Sequence, residues 1–192
     1  MLVLDEKSIK NARITIILLT VNILIYFLFN LGLGDEWIIF FSQINENIIQ
    51  GEIWRLFTAM FFHADPMHLF NNMLFLFLFG VALESNYKKI EFTAIYFLSG
   101  LVGNIFSLIF LPIDVISLGA SGCIFGLVGA SIMSYISYDK SALLIGLVYL
   151  GLFLIQSMGE GINTIAHLGG GIVGLLVGYF YNRKKSVLYD YD

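Results

Sequence analysis

Five polar side chains in an apolar chain have the types and spacing for acyl-transfer chemistry: Ser121, His167, His68, Asn72 and, in a supporting place, His63. Ser121 stands in Gly119-Ala120-Ser121-Gly122, at the mouth of a hydrophobic run. A serine hydroxyl is a poor nucleophile until a base takes its proton, and a neutral imidazole is suited to that task. His167 is the candidate base. The nearest preceding acid, Glu160, lies in a connection and not in the run that carries His167, so the expected unit is a Ser-His dyad and not a triad. Acyl transfer also needs donors for the developing oxyanion. Amides at a helix start lack helical partners and favour negative charge, so the Ser121 N–H is the first donor. His68 and Asn72 are four apart, share one helix face, and both can donate. Asn71 points elsewhere on that helix.

These residues need elements to hold them, and the composition says what kind. The chain has 192 residues, 58% hydrophobic and only 12% charged, which is membrane composition and not that of a soluble domain. Six stretches approach the roughly 20 apolar residues that a helix needs to cross a bilayer: about 14–33, 67–83, 90–111, 120–138, 142–158 and 163–181. The expected fold is therefore an all-α membrane protein, one domain over 1–192, with six transmembrane helices. The first stretch is too long for a signal-peptide core and is read as a retained span. The loop 34–66 is the one long connection. It holds Trp37, Trp54 and short apolar pieces interrupted by Glu36, Glu46, Glu52 and Arg55, as expected of amphipathic helices in the membrane interface.

Charge sets the expected orientation. With a cytoplasmic N-terminus, nine of the ten Lys and Arg fall on the cytoplasmic side and only Arg55 on the other. Both termini are then cytoplasmic, and Ser121, His68 and His167 share the outer half of the bilayer. Lone intramembrane histidines are usually structural hydrogen bonders. Three of them on one side with a serine and an asparagine point to a site.

Small residues suggest how the dyad closes. Gly171, Gly174 and Gly178 are expected on the His167 face, and Gly122, Gly126, Gly129 and Ala130 offer a matching stripe after Ser121. Such stripes ordinarily mean close helix packing, which here would bring His167 to Ser121. Gly119 and Gly122 are read as permitting backbone approach, and Asn104 as an interhelical hydrogen bonder.

The set Trp54-Arg55, His63, His68-x-x-x-Asn72, Gly119-x-Ser121-Gly122 and Ala166-His167-x-Gly169-Gly170 resembles the rhomboid family of intramembrane serine proteases. The resemblance covers all six spans in order. It implies a six-helix bundle of rhomboid type with a long interfacial first loop and a cavity open to the outer face. It implies Ser121 as nucleophile, His167 as base, and His68, Asn72 and the Ser121 amide as oxyanion donors. Gly170 belongs to the same motif, and Glu84 and Arg55 take structural roles. Span five and the loop before span six would act as gate and cap. Substrates would be single-span membrane proteins in the lipid bilayer, with no cofactor. The absence of organelle-targeting features fits a bacterial inner membrane. Many bacterial relatives carry Tyr four residues after the nucleophile; Phe125 stands there and can still stack on His167.

Other readings are weaker. A rhomboid-like pseudoprotease that binds without cutting has no need of both Ser121 and His167. No metal is expected, because His63 and His68 are five apart and no H-E-x-x-H occurs. His63 is read as structural or water-retaining. The scattered cations exclude a nucleic-acid surface, and no feature specifies an oligomeric state.

Overall fold

The computed structural model describes residues 5–136, 151 and 163–189. In chain order the elements are α1 (Glu6–Asn11), α2 (Arg13–Leu28), a π-helical turn (Phe29–Leu33), α3 (Asp35–Phe41), β1 (Gln43–Ile44), α4 (Asn45–Ile49), α5 (Arg55–Thr58) and a 3-10 turn (Ala59–Phe61). There follow α6 (Pro66–Glu84), α7 (Lys89–Phe110), β2 (Ile116–Ser117), α8 (Ser121–Ile136) and α9 (Thr164–Tyr189). The expected span 142–158, Glu160 and the proposed gate lie outside the described residues, Gly151 excepted.

Among the described residues, three helices are long and apolar enough to cross a membrane: Pro66–Glu84, Lys89–Phe110 and Thr164–Tyr181. Arg13–Leu28 and Ser121–Ser134 are shorter apolar helices. Their outer faces carry Leu24, Phe27, Phe70, Ile109, Leu176 and Phe180 in the open, the surface expected of an integral membrane protein.

Local chemistry sets the helix ends. Asp65 caps α6 by accepting from the His68 amide at 2.8 Å, and Pro66 occupies the first turn, where its missing N–H costs nothing. At the far end of α6, the buried Glu84 carboxylate reaches the start of α2. It accepts from the Ile14 and Thr15 amides at 3.0 and 2.8 Å and from the Thr15 hydroxyl at 2.8 Å. A negative group at a helix N-terminus satisfies orphan donors and suits the helix dipole. At the end of α7, the Asn45 amide donates to the carbonyls of Ser107 and Pro112 at 3.0 and 3.1 Å.

The connection between α2 and α6 is a folded piece in its own right. Arg55 is buried and donates to the carbonyls of Ile39 and Ser42 at 2.8 and 2.7 Å, while its Nε contacts Glu52. Hydrogen bonds from Arg55 and then Asn47 hold the Glu52 carboxyl below the usual carboxylate range. Asn104, expected as an interhelical hydrogen bonder, donates from α7 to the Leu56 carbonyl of α5 at 2.8 Å. Its carbonyl accepts from Gln43 at 3.0 Å. Free carbonyls in short helical turns are the nearer acceptors, because those of a neighbouring span are already engaged in their own helix. β1 pairs antiparallel with β2, Gln43 opposite Ser117, which joins the connection to the segment leading into Ser121.

The centre of the molecule is α7, α8 and α9 packed on one another. Phe92, Tyr96, Ile124, Leu127 and Leu76 are buried there. Glycines set the approach of α8 to α9. A Cβ on Gly170 would overlap the Gly122 carbonyl, one on Gly174 the Gly126 carbonyl, and one on Gly178 would lie 3.0 Å from the Ala130 Cα. Among the described residues, a Cβ on Gly171 would have nothing within 4 Å, although the Gly171 carbonyl faces Gly129. The stripe facing α8 is thus Gly170, Gly174 and Gly178, correcting the expected Gly171, Gly174 and Gly178. The physical reason is register: a row spaced by four on α9 runs along the row Gly122, Gly126 and Ala130, also spaced by four, on α8.

Candidate active site

Ser121 is the first residue of α8, and the turn before it depends on Gly119. Gly119 has φ 130, a conformation that side chains disfavour, and its amide donates to the Ala59 carbonyl at 2.9 Å. A Cβ on Gly119 would stand 2.8 Å from His68 Nε2 and 3.7 Å from Ser121 Oγ. Glycine therefore leaves room between that imidazole nitrogen and the hydroxyl. The Ser121 amide heads the helix, beyond the reach of any carbonyl of its own helix.

His167 lies in the first turn of α9. Its Nε2 is 2.8 Å from Ser121 Oγ, within hydrogen-bond distance. The Phe125 ring, one turn after Ser121, stacks on the imidazole with centroids 4.4 Å apart and planes 11° from parallel. His167 is buried at 4% exposure, and Ser121 is half-buried.

His68 lies across from the pair on the first turn of α6. Its Nδ1 accepts from the Ala64 amide at 3.4 Å, which leaves Nε2 to carry the proton toward the Ser121 side. Asn72 is one turn further along α6; its Nδ2 donates to the His68 carbonyl at 2.8 Å, with a second amide hydrogen left over. His63 is fully buried, edge-on to the His68 ring at 5.1 Å, and its carbonyl accepts from Asn30 at 3.1 Å. Neither His63 ring nitrogen meets a hydrogen-bond partner among the described residues. Burial, reinforced by His68, pushes the His63 imidazole down to about 3, so it is neutral at ordinary pH.

The structure thus brings together Ser121, His167, Phe125, Gly119 and His68, with Gly122 and Gly170 forming a close helix contact beside them. Among the described residues no group of three or more His, Cys, Asp or Glu could hold a metal ion. One contributor escaped sequence reading: Asn163, whose carboxamide caps α9 and reaches Ser107 and Ser117. An Asn immediately before an apolar helical run is a capping signal, and that was the available clue.

Residues 50–184, more than half of the chain, match the Rhomboid domain family. The chain belongs to the rhomboid family. It is 35% identical over 151 residues to "Putative rhomboid protease YdcA" of Bacillus subtilis (strain 168), covering 76% of this chain and 75% of that one. It is 37% identical to RHOMBOID-like protein 7 of Arabidopsis thaliana, over 67% of this chain and 42% of the relative. It is 32% identical to Rhomboid-like protease 1 of Toxoplasma gondii, over 72% of this chain and 50% of the relative. The chain thus spans three quarters of the bacterial relative and about half of the other two. These relatives support, at the level of the family, a rhomboid-type intramembrane protease.

Proposed function

We propose that this rhomboid is an intramembrane serine endopeptidase that cuts single-span membrane proteins with Ser121 and His167. The observation that carries the reading is the 2.8 Å contact between Ser121 Oγ and His167 Nε2, made between two helices that glycine alone lets approach so closely.

The chemistry follows from the geometry. Neutral His167 takes the hydroxyl proton as Ser121 Oγ attacks the scissile carbonyl carbon. The carbonyl oxygen becomes an oxyanion, received by the Ser121 amide, His68 Nε2–H and the spare Asn72 amide hydrogen. The imidazolium then returns its proton to the leaving amine, and water, deprotonated by the same imidazole, releases the acyl group. Phe125, stacked on the imidazole, holds its plane.

In this reading the fold completes as six spans, with 142–158 as the fifth, inserted in a bacterial inner membrane with both termini cytoplasmic. The charge distribution supports this, and it sets the site toward the outer face. The test is covalent labelling of the purified chain in detergent with a fluorophosphonate. Labelling of wild type and not of Ser121→Ala, together with Ser121-dependent cleavage of a single-span substrate, is expected. An unlabelled Ser121, or cleavage that survives Ser121→Ala, would sink the reading and favour a binding role or other chemistry.

A further inference from the structure

We propose that Asn163 is a positioning residue for the Ser121–His167 pair, its one carboxamide tying the segment that leads into the serine to the start of the helix that carries the histidine. The inference rests on the dyad reading above.

Asn163 stands four residues before His167, and Ser117 stands four before Ser121. Asn163 Nδ2 donates to Ser117 Oγ at 2.9 Å and to Ser107 Oγ at 2.6 Å. Its Oδ1 accepts from the Ala166 amide at 2.9 Å, and its carbonyl accepts from the His167 amide at 3.3 Å. Both hydrogens of the side-chain amide and its oxygen are therefore engaged, each by a different element. Ser107 belongs to α7, and it is fully buried. Ser117 is buried in β2, held on its other side by pairing with Gln43.

The two halves of the carboxamide do different things. The oxygen caps α9, a task that Ser or Thr performs about as well. The nitrogen bridges to the other lead-in segment, and only a donor on a side chain of this length can do so. About one turn of helix separates this bridge from the imidazole, so a shift at Asn163 passes to His167 with little slack. A misplacement near 1 Å in reacting groups costs on the order of 100-fold in rate, far more than the bridge contributes to stability.

Two variants separate these roles. Asn163→Thr keeps a capping oxygen and loses the bridge; Ser117→Ala removes a bridge acceptor and leaves the cap untouched. The full chain in detergent is assayed for the rate of fluorophosphonate labelling, for kcat and KM on a single-span substrate, and for the thermal midpoint, with Ser121→Ala as the blank. Each variant is expected to lower labelling rate and kcat by about 10-fold or more, with KM within about twofold and the thermal midpoint nearly unchanged. The double variant should fall no further than the worse single one, because both break the same bridge. Labelling at the wild-type rate would overturn the proposal, as would multiplying losses in the double variant, or losses that only track a falling midpoint. If wild type itself is not labelled while folded, the dyad reading fails, and this inference with it.

Discussion

Phe125 and His167 lie on different helices with their rings 4.4 Å apart and 11° from parallel. The stacked aromatic face restrains the plane of the imidazole. Aromatic pairs of this kind contribute about 0.5–1.5 kcal/mol beyond the area they bury. Phe125→Leu keeps the site apolar and similar in volume while removing the stack. It is expected to lower kcat/KM by about 2- to 10-fold, which is that energy expressed as a rate. Phe125→Tyr preserves the face and should hold near wild type. Steady-state cleavage by the three proteins is the measurement, and a Leu variant as fast as wild type would show that the stack does not matter.

The pH profile separates two of the histidines. His167 must be neutral to accept the Ser121 proton, so cleavage should fall on the acid side of its own pKa. His63, held to about 3 by burial, takes no part in that proton transfer, and His63→Asn should leave the acid limb where it is. His63 acts on stability instead. Its folded value lies below the unfolded one near 6.5, so the unfolded chain binds the extra proton. The stability tied to neutral His63 is complete above about pH 6.5 and is lost progressively as pH falls toward 3. Thermal midpoints from pH 8 down to 4 should therefore drop less steeply for His63→Asn than for wild type. Parallel curves would remove His63 from the acid response.

Glu84 is expected to matter for folding and not for chemistry. Its carboxylate satisfies two amides and a hydroxyl at the start of α2. Leaving buried donors unpaired costs about 1–3 kcal/mol per group. Glu84→Ala should lower the thermal midpoint by several degrees, with Glu84→Gln between it and wild type because the amide oxygen still accepts. The rate per folded molecule, read by active-site labelling, should change little. An Ala variant as stable as wild type would mean that water reaches the α2 terminus.

Much of this architecture can be read from residue patterns, and the reason is local. The helix of α6 exceeds the expected span 67–83 by one residue at each end, because Asp65-Pro66 is a start signal written in adjacent residues. Ser121, His68 and His167 stand out because polar groups are rare in apolar runs. What sequence left hidden depends on contacts between distant polar groups. Asn45 on the α7 carbonyls, Gln43 opposite Ser117 and the Asn163 bridge each join short segments with no periodicity of their own. Nothing in the pattern of Gln, Asn and Ser says which backbone they will find.

The glycine stripe shows the same limit in finer form, and it gives the sharpest contrast to test. Gly170 and Gly171 are neighbours on α9, both next to His167 in projection, and periodicity alone favours Gly171 because it lies one turn from the histidine. Packing decides otherwise: a Cβ at Gly170 would run into the Gly122 carbonyl, whereas one at Gly171 meets nothing within 4 Å among the described residues. Backbone cannot move aside as a side chain does, so Gly170→Ala must push α9 away from α8 and open the Ser121–His167 contact. Gly171→Ala adds only a methyl to open space, and it removes a helix-weakening residue worth up to about 1 kcal/mol. Gly170→Ala should therefore lose on the order of 100-fold in labelling rate at Ser121, with a reduced thermal midpoint. Gly171→Ala should keep its activity, with a midpoint at or above wild type. The reverse pattern, Gly171→Ala damaged and Gly170→Ala tolerated, would restore the face that periodicity suggests and remove the close glycine contact as the reason that His167 reaches Ser121.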